Sequence, residues 1–302
     1  MRVISTSGEA SDSLHYPSQI AFDEKTGKIY VLTFGDPVVV IFDTIGRTLG
    51  SIDRSISPQD SLEEVVDLIV HRGFVWLVDN GSGRIRQFTL DGEYFGSFNI
   101  RAMAFSMTGF GDYLICSHLL GGDEMIPYNM YTGETPDGYK KKLSKISMAL
   151  GMFNVFDRMM FISSAPSGTI YTTHLYENRM EKYSSELKRI KRVKLTDEKS
   201  KDSKTVKKSA DGRIEIFAGT QFAKDICYSY ERVFVLWNDE VSPQGDCEGK
   251  SNISVFNAEL NLQYDMVVED CLESMVVAGE HLFATTRSPR NAVILYRLRK
   301  MQ

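Results

Sequence analysis

Short apolar runs separated by turn residues recur along the whole chain and predict β-strands. The clearest unit spans residues 65–98, where Gly, Asn and Asp residues divide four such runs. Short runs rich in β-branched and aromatic residues are typical of strands. Several runs carry apolar residues on both parities, which indicates a sheet covered on both faces. The predicted strands of this unit are 65–70, 74–78, 84–88 and 94–98.

An apolar residue followed three positions later by an aromatic one marks the unit six times along the chain. The pairs are Val39/Phe42, Ile85/Phe88, Tyr128/Tyr131, Met180/Tyr183, Ile253/Phe256 and Val293/Tyr296. A repeat of about 40 to 50 residues with four short strands is the sequence signature of a propeller blade. We therefore predict an all-β fold, a six-bladed β-propeller of four-stranded antiparallel blades. The regular position of the aromatic residues predicts that they fill blade cores and do not form a carbohydrate platform.

The six units predict one propeller domain over residues 1–302. The expected blades are 17–52, 64–98, 101–150, 155–195, 214–266 and 272–298, the last completed by residues 2–6. The last unit lacks a fourth strand, and an orphan strand precedes the first unit. We predict that this N-terminal strand pairs into the last blade, because that closes the ring and removes two exposed sheet edges.

Three long segments lie outside the four-strand repeat, namely 54–63, 117–152 and 196–221. Within them, residues 196–213 have almost nothing to bury and predict a mobile, solvated loop, while residues 140–150 are expected to form a short helix. In a four-stranded blade, the loops between strands two and three share a face with the connections between blades. All three segments are therefore expected on one face, and a ligand is expected there, at the mouth of the central channel.

The charge and hydropathy of the chain argue against some classes of protein. The formal net charge of −5 argues against nucleic-acid binding, which requires a basic footprint. No run approaches the ~18 apolar residues that a membrane helix requires, so we expect no transmembrane segment. The N-terminus has no apolar core or cleavage site of a signal peptide. We therefore expect a cytoplasmic protein, or a cell-envelope protein (periplasmic or lipoprotein) if a leader lies outside this sequence.

The four cysteines have no metal-ligand spacing. Cys116 and Cys227 lie in apolar strand-like runs, where buried free thiols are the ordinary expectation. Cys247 and Cys271 lie in polar segments on either side of a predicted strand pair. They would form a disulfide in an oxidising compartment, and two free surface thiols are the alternative.

The segment Gly-Arg-Ile-Arg-Gln-Phe-Thr-Leu-Asp-Gly-Glu, residues 83–93, follows Val-Trp-Leu-Val-Asp-Asn at 75–80. Together they resemble the NHL-type repeat of six-bladed propellers, and residues 18–31 look like the start of another copy. The whole chain is similar to six-bladed propeller proteins of gut Bacteroides within the TolB-like group. Members of that group are commonly exported lipoproteins, so the resemblance implies a cell-envelope location. It implies no established reaction.

Two sets of polar residues are expected at the channel mouth as ligand-binding residues. The first set ends the second strands and comprises Asp79, His118, His174, Asn238, Asp239 and Arg287. The second set stands at the entries of the first strands and comprises Gln19, Asp67, Arg101, Lys224 and Glu273. The mixed charges of the second set also allow its members to pair with one another.

His118 and His174 are the candidates for metal ligands, because two histidines with one or two acids can hold Zn²⁺ or Ca²⁺. Propeller lyases that amidate peptides and lactonases of the gluconolactonase type place a divalent metal at this mouth. Histidines at strand ends are more often hydrogen-bonded loop residues. We therefore expect no cofactor, with Ca or Zn as the alternative.

The sequence favours a non-enzymatic binding or protein-interaction module, a monomer whose ligand or partner binds the loop-rich face. That partner is an unknown protein or a small-molecule or carbohydrate ligand. The alternative is a metal-dependent hydrolytic enzyme of the lactonase or lyase type with its site at the same mouth. A third interpretation is a structural subunit of an envelope complex that uses the sides and edges of the blades.

Overall fold

A computed structural model describes most of the chain. The described residues are 2–5, 14–57, 60–119, 125–137, 159–195, 204–208, 214–218, 223–238, 250–288 and 291–298. Among them, no helix has both the length and the apolar character needed to cross a bilayer.

The strands of the first half of the chain follow the predicted repeat. They are β1 (Arg2–Ser5), β2 (Gln19–Asp23), β3 (Lys28–Leu32), β4 (Val39–Phe42), β5 (Thr48–Ile52), β6 (Ser55–Ser57), β7 (Asp60–Ser61), β8 (Val65–His71), β9 (Phe74–Asp79), β10 (Arg84–Thr89), β11 (Tyr94–Asn99), β12 (Ala104–Phe110), β13 (Tyr113–His118) and β14 (Met125–Asn129). The four strands predicted within 65–98 are confirmed as β8 to β11, to within one residue at each end.

The second half of the chain continues in the same way. Its strands are β15 (Met160–Ser164), β16 (Ile170–His174), β17 (Met180–Tyr183), β18 (Arg189–Val193), β19 (Lys204–Lys208), β20 (Ile214–Ala218), β21 (Asp225–Ser229), β22 (Arg232–Asn238), β23 (Ser251–Asn257), β24 (Leu262–Val268), β25 (Cys271–Ala278), β26 (His281–Ser288) and β27 (Ala292–Arg297).

Six antiparallel sheets form the blades. Blade 1 is β2–β5, blade 2 is β8–β11, blade 4 is β15–β18 and blade 5 is β21–β24. Blade 3 contains β12, β13 and β14 within the described residues, and blade 6 contains β25, β26 and β27 with β1 at its outer edge. β1 runs antiparallel to β27, with Arg2 opposite Leu295 and Val3 opposite Ile294. Blade 6 is thus built from two distant parts of the chain.

The hydrophobic core is divided among the interfaces between neighbouring blades. In β3, Ile29 and Val31 pack toward blade 6, while Tyr30 and Leu32 pack toward blade 2. Successive side chains of a strand point to opposite faces of the sheet, so a strand covered on both faces must be apolar at every position. This explains the apolar residues on both parities in the predicted strands.

Every neighbouring pair of blades shares such a core, and the sixth core joins blade 6 to blade 1. That last core contains Phe283 and Val293 of blade 6 together with Ile29 and Phe42 of blade 1. The first strands of the six blades also contact one another in a continuous cycle, from β2 through β8, β12, β15 and β21 to β25. The molecule is therefore an all-β, six-bladed propeller.

The third apolar–aromatic pair predicted from the sequence, Tyr128/Tyr131, was placed three residues too late in the chain. Tyr131 lies beyond β14 and its side chain is 69% exposed, whereas Tyr128 is fully buried. Tyr128 lies opposite Leu114 in the second strand, as Phe88 of blade 2 lies opposite Val75. The equivalent pair is therefore Met125/Tyr128. The sequence was misleading because the same apolar–aromatic spacing occurs twice in succession there.

Two of the segments beyond the repeat contain additional strands. β6 and β7 form a small hairpin between blades 1 and 2, and β19 pairs with β20 between blades 4 and 5. The prediction of a loop over residues 196–213 was therefore wrong for β19, because cross-strand backbone hydrogen bonds can organise even a Lys-rich strand. The short helix expected at 140–150 lies outside the described residues.

The described cysteines have different states. Cys116 is buried and Cys227 is half-buried, and both are free thiols. Cys271 is disulfide-bonded, and Cys247, the partner suggested by the sequence, lies outside the described residues. Bonds of this kind persist in oxidising compartments.

Candidate functional site

The first strands of the blades line a central channel, and two cavities along it are lined by described residues. The larger cavity has a volume of about 990 Å³ and extends to the turns between first and second strands, including Lys25 and Arg72. The smaller has a volume of about 320 Å³ and is lined by residues at the opposite ends of the same strands. Gln19 lines both. We call them the turn-face cavity and the loop-face cavity.

Polar side chains on the first strands link five of the six neighbouring pairs of blades, from blade 2 round to blade 1, along the turn-face cavity. Asp67 Oδ2 of blade 2 accepts a hydrogen bond from Met107 N of blade 3 (2.6 Å). Further links run from blade 3 to blade 6, where Ser274 Oγ lies 3.0 Å from Gln19 Oε1 of blade 1. The intervening links are Ser106 Oγ with Ile162 N, Ser163 Oγ with Tyr228 N, and Asp225 Oδ2 with Met275 N. These side chains hold the inner strands together.

Asp67 and Asp225 are two buried carboxyl groups in this set of links. Burial raises the pKa of Asp67 to about 7, and the negative charge of Asp225 contributes in the same direction, against hydrogen bonds from the N–H groups of Met107 and Leu68. Burial likewise raises the pKa of Asp225 to about 6, although Ser274 and two backbone N–H groups stabilise its ionised form. In both groups, the loss of water on burial outweighs the hydrogen bonds that favour the ionised form.

The loop-face cavity is formed where first strands begin and second strands end. Its wall combines apolar and charged side chains, as ligand sites usually do. The apolar and aromatic members are Phe34, Val65, Val66, Met103, Ala104, Phe105, Leu119, Phe161 and Leu175. The charged members are Glu64, Lys224, Glu273 and Arg287.

The charged side chains of the loop-face cavity differ in how they are satisfied. Lys224 Nζ donates to Glu273 Oε1 at 3.1 Å, and both side chains are largely buried. Arg287 Nε donates to the carbonyl oxygen of Pro17 at 3.4 Å, and its guanidinium carbon lies 5.2 Å from the centre of the Phe34 ring. The pairing of mixed charges that the sequence suggested thus occurs for Lys224 and Glu273.

Phe34 is an exposed aromatic residue on a firmly held loop between β3 and β4. Its side chain is 62% exposed, while its N–H donates to the carbonyl oxygen of His15 at 2.9 Å. Thr33 closes the loop by donating to Pro37 O at 2.6 Å, and Arg54 Nη2 donates to Gly35 O. These contacts fix the backbone on both sides of the ring.

His118 is the last residue of the second strand of blade 3, and its side chain is fully buried. Its Nδ1 lies 3.3 Å from Met103 O and its Nε2 lies 3.2 Å from Tyr128 Oη. Burial lowers the pKa of His118 to about 4, so its imidazole is neutral at physiological pH. The side chain does not line either cavity.

His174 is also fully buried, in a charged cluster of blade 4. Its Nε2 lies 3.4 Å from Glu181 Oε2, and Arg179 Nη2 donates to its Nδ1 at 2.9 Å. Burial alone would raise the pKa of Glu181, but hydrogen bonds from His174, Tyr183 and Arg192 hold it well below its usual range. His118 and His174 therefore have separate hydrogen-bonding partners. In the described part of the chain, no group of three or more His, Cys, Asp and Glu side chains is arranged to hold a metal ion.

The remaining predicted residues are distributed as follows. Asp79 is fully buried and accepts hydrogen bonds from Glu64 N (3.0 Å) and from Ser82 Oγ (2.6 Å). Arg101 is exposed and lines neither cavity. Asn238 ends β22 opposite Ser251, and Asp239 lies outside the described residues. Of the eleven candidates, the structure brings four to the loop-face cavity, namely Gln19, Lys224, Glu273 and Arg287.

Sequence reasoning did not select three residues that now belong to the candidate sites. Phe34 precedes Gly-Asp-Pro and thus stands in a turn sequence, where an aromatic side chain has no strand to pack in. Glu64 directly precedes the first strand of blade 2. Asp225 precedes Ile226 in the first strand of blade 5, as Asp67 precedes Leu68 in the first strand of blade 2. This shared position could have predicted from the sequence that Asp225 and Asp67 are equivalent.

Comparisons with known proteins support the fold. No protein-family model matches the chain, and no curated protein matches it. Among solved structures, a DUF4221-family protein from Bacteroides vulgatus superposes with a TM-score of 0.60 at 11% identity, covering 95% of each chain. The structure of U3-55K gives a TM-score of 0.60 at 11% identity over 98% of each chain. The Bacteroides protein agrees with the sequence resemblance at the level of the fold.

A catalytically inactive variant of virginiamycin B lyase from Staphylococcus aureus, solved with quinupristin, is also similar. Its TM-score is 0.57 at 11% identity, covering 94% of this chain and 96% of that chain. Identities this low show a common propeller architecture alone, since propellers host many unrelated functions.

Proposed function

We propose that this chain is a binding module whose ligand occupies the loop-face cavity. The observation that carries the proposal is Phe34, a large aromatic side chain that is 62% exposed at the cavity wall. Exposing such a ring to water is unfavourable, and fixing its loop adds an entropic cost. Both costs are offset when a ligand covers the ring, and a loop ordered beforehand binds with a smaller entropy loss.

The distribution of polar contacts supports the loop-face cavity over the larger turn-face cavity. In the turn-face cavity, the buried carboxyl groups of Asp67 and Asp225 already bond to neighbouring blades. In the loop-face cavity, the hydrogen bond from Arg287 to a described residue is made through Nε to Pro17 O, and an arginine side chain carries five N–H donors. Side chains with unused hydrogen-bonding capacity are the ones that can bind a ligand.

Soaking crystals of the protein with a library of small fragments tests this proposal. We expect fragments to collect in the loop-face cavity against Phe34. In solution, Phe34→Ala should weaken their binding about 10-fold, because the aromatic contact surface is lost. Phe95→Ala is the matched control, since Phe95 is 63% exposed but lies on the outer strand β11. Fragments that bind only in the turn-face cavity, or equally well to Phe34→Ala, would contradict the proposal.

A further inference from the structure

Two charged groups of the loop-face cavity have no ionic partner among the described residues. One is the Arg287 guanidinium, whose contacts are Pro17 O and the Phe34 ring. The other is the Glu64 carboxylate. The backbone of Glu64 is fixed, because its N–H donates to Asp79 Oδ1 and its carbonyl oxygen accepts from Asn80 N. The remaining pair on this wall, Lys224 and Glu273, is satisfied internally.

These two groups flank the exposed aromatic ring in the order of the blades. Arg287 is near the end of β26 in blade 6, Phe34 follows β3 in blade 1, and Glu64 precedes β8 in blade 2. Blade 1 packs against blade 6 on one side and against blade 2 on the other. Residues that carry a cation, an aromatic ring and a carboxylate therefore follow one another around the wall of the cavity.

This arrangement rests on the proposed function and specifies the ligand chemistry. An arginine fork matches a carboxylate, and such charge-assisted hydrogen bonds are among the strong ones. A carboxylate such as that of Glu64 pairs with an ammonium group, and the Phe34 ring packs against apolar surface. A cavity of about 320 Å³ is at the small end of ligand sites. We propose that the loop-face cavity binds a short zwitterionic peptide with an apolar side chain, its carboxylate on Arg287 and its ammonium group on Glu64.

Isothermal titration with the dipeptide leucyl-phenylalanine tests the inference. We expect the free dipeptide to bind, and both its N-acetylated and its C-amidated forms to bind about 10-fold more weakly, since each loses one charge-assisted contact. Arg287→Gln should weaken binding of the free dipeptide by a similar factor. In this variant the C-amidated dipeptide should bind as tightly as the free one. Glu64→Gln should also weaken binding of the free dipeptide, and in this variant the N-acetylated dipeptide should bind as tightly as the free one. Free phenylalanine is a further probe, and binding as tight as that of the dipeptide would assign the site to amino acids.

Two exposed residues serve as matched controls. The control variants are Glu269→Gln and Arg47→Gln. Glu269 lies in the connection between β24 and β25, Arg47 lies in the turn after β4, and neither residue lines the loop-face cavity. Both variants should bind the dipeptide as the wild type does. If the blocked dipeptides bind as tightly as the free one, or if the free dipeptide fails to bind at about 1 mM, the inference is wrong. Fragments that still occupy the cavity in that case would leave the proposed function intact, and their absence would overturn both.

Discussion

At the scale of single residues, polar side chains on the inner strands connect the propeller from blade to blade. Asp67 is the clearest case, because its two carboxylate oxygens accept hydrogen bonds from Leu68 N and Met107 N. A short residue with one hydroxyl group, Ser106, makes the equivalent connection in blade 3. The carboxyl groups therefore have a structural role, and their burial makes that role dependent on pH.

The stability of the protein should depend on the ionisation of Asp67. Because the folded-state pKa of about 7 lies above the unfolded value of about 4, the unfolded chain releases its proton first. The free energy of unfolding contributed by Asp67 is therefore highest at low pH and falls as pH rises from about 4 to 7. Between pH 5 and pH 8 we expect a loss on the order of 2 kcal/mol relative to Asp67→Asn.

Urea unfolding of the wild type and of Asp67→Asn at both pH values measures this difference directly. The asparagine variant removes the titration and keeps one acceptor oxygen, so it also shows a pH-independent loss of about 1–3 kcal/mol from the unpaired N–H group. A difference between the two proteins that is the same at pH 5 and pH 8 would show that Asp67 is ionised throughout.

At the scale of elements, the aromatic residue that belongs to the repeat is the one that faces an apolar residue of the second strand. Val75 faces Phe88, and Leu114 faces Tyr128. The spacing of residues predicted the strand but gave the wrong aromatic residue in blade 3. Burial distinguishes Tyr128 from Tyr131, and burial depends on the neighbouring sheet, which the local sequence does not contain.

Alanine substitutions at the two tyrosines test this register. Tyr128→Ala should lower the free energy of unfolding by about 3–5 kcal/mol, as expected for loss of a fully buried aromatic side chain. Tyr131→Ala, at 69% exposure, should change it by no more than about 0.5 kcal/mol. Equal effects in chemical denaturation would refute the assignment of Tyr128 to the core.

The candidate site was predictable only in part. Its face and its general place at the channel mouth follow from the alternation of turns and long connections, and four of the eleven named residues line the loop-face cavity. The two histidines were plausible ligands by position. Their side chains turn into the blades, however, where Tyr128 and Glu181 bond to them. Strand position does not determine the direction of a side chain at a strand end.

At the scale of the whole molecule, hydrophobic cores join each pair of neighbouring blades, and β1 pairs with β27 at the outer edge of blade 6. An outer strand supplied by another part of the chain covers the edge of blade 6, which would otherwise expose unpaired backbone groups. The double substitution Val3→Pro, Ile4→Pro should weaken this pairing, because proline cannot donate to the ladder.

Hydrogen exchange measured residue by residue reports on that pairing. We expect faster exchange of the amides in β27 and a lower unfolding temperature for the double proline variant. Val3→Thr, Ile4→Thr keeps both N–H groups and a β-branched shape, so it should exchange as the wild type does. Unchanged protection of Ile294 and Leu295 in the proline variant would show that β1 does not protect this edge.

The sequence by itself predicted the recurring strands of the blades, their antiparallel order and the number of blades, because those features arise from periodicities over a few residues and from turns between them. It did not predict the additional strands β6, β7, β19 and β20. The tertiary structure alone decided which side chains share a cavity. Phe34, Glu64 and Arg287 come from three blades and lie around one opening only when blade 6 packs against blade 1. Their proximity results from closing a ring over more than two hundred residues, and no local pattern in the chain records it.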